Sequence, residues 1–190
     1  MLWTIITLVE NIYMNNVMKK SINTYSLPIK KRPVIAVLDL ETHIKMDKFA
    51  IDFIVPENTP IVATASGKII YTKVDSNEGG DDVKWENFKF YNHIVIKHVN
   101  GEYTEYGHLK YLGTSKKVGD LVKEGEIIGF SGNTGYSSEP HLHFSVFLLT
   151  KVEPNFETLP TGKVYFLDDP EFGFQTIEPR FKEKLNVLKG

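Results

Sequence analysis

The feature that most restricts the fold is a succession of short apolar runs, rich in β-branched and aromatic residues and separated by turn signals. Such runs stand at residues 34–38, 49–55, 61–65, 68–74, 93–98, 103–109 and 126–130. Turn-forming stretches such as 75–80 divide them. Many short strands at close spacing are typical of an all-β sandwich or barrel-like domain. The sequence therefore predicts an all-β fold.

The two ends of the chain carry weaker β signals. We expect an N-terminal helical segment at 1–24, a main domain at 25–160 and a C-terminal extension at 161–190 with a short helix from Phe181 to Leu188. The apolar run at 2–9 is shorter than the roughly 20 residues of a transmembrane helix and lacks the basic start of a secretory leader. We therefore predict no transmembrane span and read no leader.

The charge and the cysteine count narrow the possible partners and metal ligands. The 190-residue chain has a formal net charge of −2, which does not favour nucleic acid as a partner. It contains no cysteine, so it forms neither disulfides nor thiolate metal sites. Any transition metal must be held by histidine, aspartate or glutamate.

Two histidines separated by a single residue are the clearest chemical signal. His141 and His143 enter the apolar run 144–149 from the loop 131–140, which is rich in glycine, serine and asparagine. Because side chains at i and i+2 of a strand point to the same face, the two imidazoles should stand side by side, with Leu142 turned into the core. Such a pair suits a metal site or a proton-relay site.

A second signal is Asp52, which interrupts the apolar run 49–55. A carboxylate in such a run is costly unless it is paired or bound to a metal. A turn-capping aspartate would explain the same position about as well. A zinc hydrolase needs three protein ligands and an open fourth position, together with a group that moves protons.

Several motifs together resemble one family. The chain carries His43, Asp52 within Phe-Ala-Ile-Asp-Phe, the segment 55–63, Tyr-Gly-His-Leu at 106–109, and Ser-Gly-Asn-Thr-Gly at 131–135 before His-Leu-His-Phe. In this order they resemble the lysostaphin-type zinc metallopeptidases, which are peptidoglycan endopeptidases. The resemblance extends from about residue 25 to about residue 160.

The resemblance implies a fold, a cofactor and a set of site residues. It implies antiparallel sheets forming a groove, with Zn²⁺ held by His43, Asp52 and His143. It implies that His108 and His141 flank the metal as catalytic groups, and that the substrate is a peptidoglycan peptide outside the cytoplasmic membrane. The separation of His43 from Asp52 is longer than in the best-known members and resembles a sub-branch.

Other interpretations of these residues remain open at this stage. One is a zinc-binding but non-hydrolytic module that activates another cell-wall enzyme, although His108 and His141 are both present. Another is a carrier or phosphocarrier domain, suggested by the glycine-punctuated segment 119–129, but Asp52 and His43 favour the peptidase. His93 and His98 are expected to be satisfied structural residues. The aromatic loop at 75–92 is either a plain edge loop or part of a binding cleft.

Overall fold

The computed structural model describes residues 20–30, 35–38, 48–149, 173–185 and 187–189. Within these ranges the chain forms fifteen strands: β1 Lys20–Tyr25, β2 Ile35–Leu38, β3 Ile51–Ile54, β4 Pro60–Val62, β5 Gly67–Lys73, β6 Gly79–Gly80, β7 His93–Lys97, β8 Glu102–Gly107, β9 Leu121–Val122, β10 Ile127–Phe130, β11 Gly135–Tyr136, β12 His141–Leu149, β13 Phe174–Thr176, β14 Glu178–Phe181 and β15 Val187–Lys189. Short 3₁₀ turns occupy Val83–Glu86, Phe88–Phe90 and Val99–Gly101.

One large sheet organises the molecule. Its strands follow the order β15-β2-β3-β12-β8-β7-β5-β9, and β13 adds to β12. The pairs at its centre, β3 with β12, β12 with β8, and β8 with β7, are antiparallel. The all-β prediction is confirmed, and the antiparallel arrangement holds throughout the centre. Three peripheral pairs are parallel: β1 with β14, β2 with β15, and β6 with β11.

The large sheet separates two apolar clusters. Alternate residues of β12, including Leu142, Phe144 and Val146, join the larger core cluster on one face. Phe147 joins a smaller cluster with Tyr71, Tyr91 and other residues on the opposite face. His143 has the parity of Phe147, because side chains along a strand alternate between faces. The two-residue period therefore places His143 on the face of the smaller cluster.

The first described strand corrects the predicted N-terminal segment. Residues 20–24, expected at the end of a helical segment, lie in β1. The carboxylate of Glu102 holds this strand, since it accepts hydrogen bonds from the amides of Ile22 and Asn23 and from the Tyr25 hydroxyl. These long-range bonds and the pairing with β14 outweigh local helix propensity. The rest of the predicted helical segment, residues 1–19, lies outside the described ranges.

The predicted C-terminal helix is also wrong. Phe181 ends β14 and pairs with Tyr25, residues 182–185 are not helical, and Val187–Lys189 form β15 against β2. Strand partners more than a hundred residues away supply hydrogen bonds that a local pattern does not reveal. Across the described ranges, the structure contains no helix long and apolar enough to cross a membrane.

Candidate active site

Asp52 and His143 are neighbours in the sheet. They form a directly paired position of β3 and β12, so their side chains share one face. Oδ1 of Asp52 lies 3.2 Å from Nδ1 of His143. Both side chains keep only a small exposed fraction, 14% for Asp52 and 11% for His143. The register of β3 and β12 therefore holds a carboxylate and an imidazole together in a position that is mostly buried but still accessible to solvent.

His141 joins this pair as the sequence predicts. It lies two residues before His143 on β12, while Leu142 between them is fully buried in the core. Its Nδ1 donates to the carbonyl oxygen of Glu139 at 2.8 Å. Because a carbonyl only accepts, the neutral ring keeps its proton on Nδ1. The lone pair of Nε2 then faces Oδ1 of Asp52, 3.7 Å away.

His108 approaches the site from the end of β8. Its ring centroid lies 4.4 Å from that of His141 and 6.1 Å from that of His143. Its φ is +54°, a left-handed conformation that is uncommon for residues other than glycine and concentrates at functional sites. Its Nδ1 donates to the carbonyl oxygen of Thr134 at 2.7 Å, which leaves Nε2 as the free acceptor.

The loop that precedes β12 supports His108 from behind. The amide of Gly132 donates to the carbonyl oxygen of His108 at 2.9 Å. A Cβ at Gly132 would lie 2.7 Å from the backbone nitrogen of Lys110, so only glycine lets the loop pack this closely. The Thr134 hydroxyl donates to the carbonyl oxygen of Leu109 at 2.9 Å. The motif at 131–135 therefore fixes the backbone of His108 and of the residue that follows it.

The surroundings of His108 favour its neutral form. Burial holds the pKa of His108 well below its ordinary value, and the nearby imidazoles of His141 and His143 lower it further. The Thr134 carbonyl and the Asp52 carboxylate oppose this shift but do not cancel it. A neutral imidazole with Nε2 unprotonated is the form that accepts a proton.

This pKa shift predicts a pH dependence of stability in the metal-free protein. Below the ordinary pKa of 6.5, this histidine binds a proton in the unfolded chain but not in the folded protein. The contribution of His108 to the free energy of unfolding is therefore fully present above pH 6.5, and it is lost as the pH falls toward the pKa of the folded state. Denaturant unfolding with chelator, from about pH 7.5 down to pH 5, is expected to show this decline. His108→Gln should flatten it without removing it, because burial also lowers the pKa of His98. An unchanged decline in His108→Gln would contradict the assignment.

The residues present fit a zinc ion in their donor chemistry. Of the three predicted ligands, Asp52 and His143 are adjacent, whereas His43 lies outside the described residues. Within the described ranges, no group of three or more His, Cys, Asp or Glu side chains is placed to hold a metal ion. A carboxylate beside imidazoles suits zinc. The lone pair of His141 Nε2 facing Asp52 is an unfavourable contact that a nearby cation or proton relieves.

The other histidines have structural partners. Nδ1 of His93 lies 2.9 Å from the Glu105 carboxylate, and both side chains are buried, as expected for a satisfied residue. His98 is also satisfied, as expected, since its amide donates to the carbonyl oxygen of Glu102 across the turn at 2.8 Å. Its ring points into the protein, 3.0 Å from the Ser66 carbonyl oxygen and 2.7 Å from the Thr104 hydroxyl.

Sequence reasoning missed several residues that surround the site. They are Tyr91, which packs against His108, Glu105, which pairs with His93 behind Tyr91, and Ser137, whose hydroxyl lies 3.2 Å from His141 Nδ1. Tyr91 belongs to the aromatic loop at 75–92, so this loop does reach the site. The aromatic composition of the loop was the only signal in the sequence, and it did not single out Tyr91.

Comparison with known proteins places this arrangement in a family. A sequence profile described as peptidase family M23 matches residues 47–154, more than half of the chain. The chain belongs to peptidase family M23. The matched range contains Asp52, His108, His141 and His143, and His43 lies just before it. The resemblance to lysostaphin-type metallopeptidases is thereby confirmed.

Individual relatives match over part of their length. Lysostaphin of Staphylococcus staphylolyticus is 43% identical over 98 residues, which cover 50% of this M23 chain and 18% of that protein. The DD-carboxypeptidase/endopeptidase Mpg of Neisseria meningitidis is 35% identical over 139 residues, which cover 73% of this chain and 27% of the relative. Among solved structures, the lysostaphin catalytic domain from Staphylococcus simulans is 29% identical, with 70% of this chain and 82% of that chain covered and a TM-score of 0.41. The chain therefore spans less than a third of these two curated relatives.

Proposed function

We propose that this M23 chain is a zinc-dependent endopeptidase that hydrolyses peptide cross-links of bacterial peptidoglycan. The observation that carries the proposal is the convergence of His108 and His141 on the adjacent Asp52 and His143. Family membership supports a peptidase. The names of two relatives, lysostaphin and a DD-carboxypeptidase/endopeptidase, support cell-wall peptides as the substrate class.

The metal is assigned to His43, Asp52 and His143. Zinc bound there supplies Lewis acidity, which activates water and polarises a carbonyl group. The pairing of β3 with β12 fixes the relative positions of Asp52 and His143 before any metal binds. Such pre-organisation reduces the cost of assembling the site.

His108 and His141 are assigned to proton transfer. Both rings keep their Nδ1 proton through a backbone carbonyl, Thr134 for His108 and Glu139 for His141. Each therefore presents Nε2 toward the site, where one takes a proton from water and the other assists the developing oxyanion or the leaving amine. The depressed pKa of His108 keeps its ring neutral at neutral pH, which is the form that can accept a proton. An extracytoplasmic location follows from this substrate and is part of the proposal.

Digestion of purified peptidoglycan tests the proposed activity. Two wall types, one with glycine bridges and one with direct D-amino-acid cross-links, are incubated with zinc-loaded protein, with chelator-treated protein, and with chelator-treated protein after zinc is restored. We expect new amine ends from at least one wall type, lost with chelator and regained with zinc, because zinc provides the activating charge. The masses of the fragments identify the bond.

Two outcomes separate the proposal from its alternative. Zinc-reversible release of amines supports an endopeptidase. A protein that binds one zinc per chain but releases nothing from either wall contradicts hydrolysis, and favours the non-hydrolytic module that activates another cell-wall enzyme. Zinc content is therefore measured on the same protein samples as the digestion.

A further inference from the structure

Tyr91 forms the wall on one side of His108. The two rings meet edge to face, with centroids 4.9 Å apart and planes at 76°. Tyr91 immediately precedes Asn92 and β7, and it is buried in the smaller apolar cluster with Tyr71, Val95 and Phe147. Aromatic contacts of this geometry are directional, so they restrict the orientation of the partner ring.

The position of Tyr91 depends on the absence of a side chain at Gly107. A Cβ built on Gly107 would lie 1.7 Å from the Tyr91 hydroxyl oxygen and 2.5 Å from its ring carbon Cζ. The phenol therefore lies directly over the backbone of Gly107, the residue before His108. Gly107 is also paired with His143 across β8 and β12. The phenol of Tyr91 therefore lies at the same level of the sheet as His143 and its partner Asp52.

A buried pair of an imidazole and a carboxylate lies on the other side of Tyr91. The ring of His93 stacks on Tyr91, with centroids 5.0 Å apart and planes at 28°. Nδ1 of His93 lies 2.9 Å from a carboxylate oxygen of Glu105, and their side chains are only 1% and 3% exposed. Tyr71 packs on the same imidazole at 4.8 Å. Tyr91 is thus held between a fixed imidazole and His108.

We propose that Tyr91 is a positioning residue that fixes the ring of His108 so that Nε2 points at the substrate. The proposal rests on the proposed hydrolytic function, in which His108 moves a proton. His108 has only one hydrogen bond through its ring in the described structure, from Nδ1 to Thr134. This bond fixes one ring atom, so the orientation of the rest of the ring depends on the groups packed against it, among them the ring of Tyr91.

The orientation matters because His108 lies close to two other imidazoles. Its centroid is 4.4 Å from that of His141, so a modest rotation changes where Nε2 points. Its left-handed backbone conformation fixes where the ring leaves the chain but not the rotation of the ring itself. A displacement of about 1 Å at a catalytic group can reduce the rate about 100-fold.

Three variants distinguish positioning from packing. Tyr91→Phe keeps the aromatic ring, Tyr91→Leu removes it, and Tyr103→Leu removes another buried phenol of the same cluster, one that stacks on Phe147 rather than on His93 or His108. We expect Tyr91→Leu to lower kcat about 10- to 100-fold with KM within about threefold. Tyr91→Phe should restore kcat to within about threefold of the wild type, and Tyr103→Leu should lower Tm like Tyr91→Leu without the fall in kcat.

A measurement on the metal-free protein tests the same inference without hydrolysis. Long-range ¹H–¹⁵N spectra of the histidine rings should show His108 as a single Nδ1–H tautomer in the wild type and in Tyr91→Phe. In Tyr91→Leu they should show a broadened signal or a mixture of tautomers. These spectra remain decisive even when the wild type cleaves no peptidoglycan, so failure of the proposed function and failure of the positioning role are distinguished.

Two patterns overturn the proposal. In the first, the Tm of Tyr91→Leu falls as much as that of Tyr103→Leu, but its His108 spectrum and its kcat are those of the wild type, so Tyr91 is an ordinary core residue. In the second, kcat falls equally in Tyr103→Leu, so general loosening of the cluster, not the contact with His108, is responsible.

Discussion

Replacing His143 with alanine is expected to remove zinc binding and peptidoglycan hydrolysis together. The substitution takes away the imidazole that lies 3.2 Å from Asp52, and an alanine at this site offers no donor atom. The loss of zinc affinity should exceed the roughly 10- to 100-fold typical of changing a residue behind a ligand. Zinc per chain after dialysis and amine release from peptidoglycan are the two measurements.

A buried histidine outside the site provides the matched control. His98→Ala removes an imidazole of similar burial that contacts Ser66 and Thr104 rather than Asp52. We expect this variant to lose stability but to keep one zinc per chain. If His143→Ala keeps its zinc and its activity while its thermal unfolding is normal, His143 is not a ligand and the assigned ligand set is wrong.

The sequence was sufficient to predict the part of the site that depends on strand periodicity. His141 and His143 share a face because they are two residues apart on β12, and Leu142 between them is buried, as the two-residue period requires. Asp52 was recognisable because a carboxylate within an apolar run needs a partner. The all-β class followed from short runs divided by turns.

The part of the site that depends on register and backbone conformation was not predictable in this way. That Asp52 stands directly opposite His143 is a property of how β3 pairs with β12, which no local pattern contains. The same holds for Glu105, which meets His93 only because β8 pairs with β7. The error at the C-terminus has the same origin, since β14 and β15 are strands only through their distant partners.

Replacing His108 with alanine is expected to give a different result from replacing His143. His108 is assigned to proton transfer, and positioned general acids and bases contribute about 10²- to 10⁴-fold to the rate. We expect kcat to fall by this amount while zinc per chain stays at the wild-type value. The rate should fall because Nδ1 of His108 donates to the Thr134 carbonyl, which leaves Nε2 to accept a proton. The zinc should stay because His108 is not one of the assigned ligands.

The same experiment on His141 separates the roles of the two histidines that are assigned to proton transfer. Burial depresses the pKa of His108, so this ring stays neutral and ready to accept a proton as the pH falls below 6.5. If His108 is the proton acceptor, the acidic limb of the kcat profile should disappear in His108→Ala and persist in His141→Ala. An acidic limb that persists in His108→Ala but disappears in His141→Ala would reverse the two roles. Loss of zinc from His108→Ala would instead make His108 a ligand.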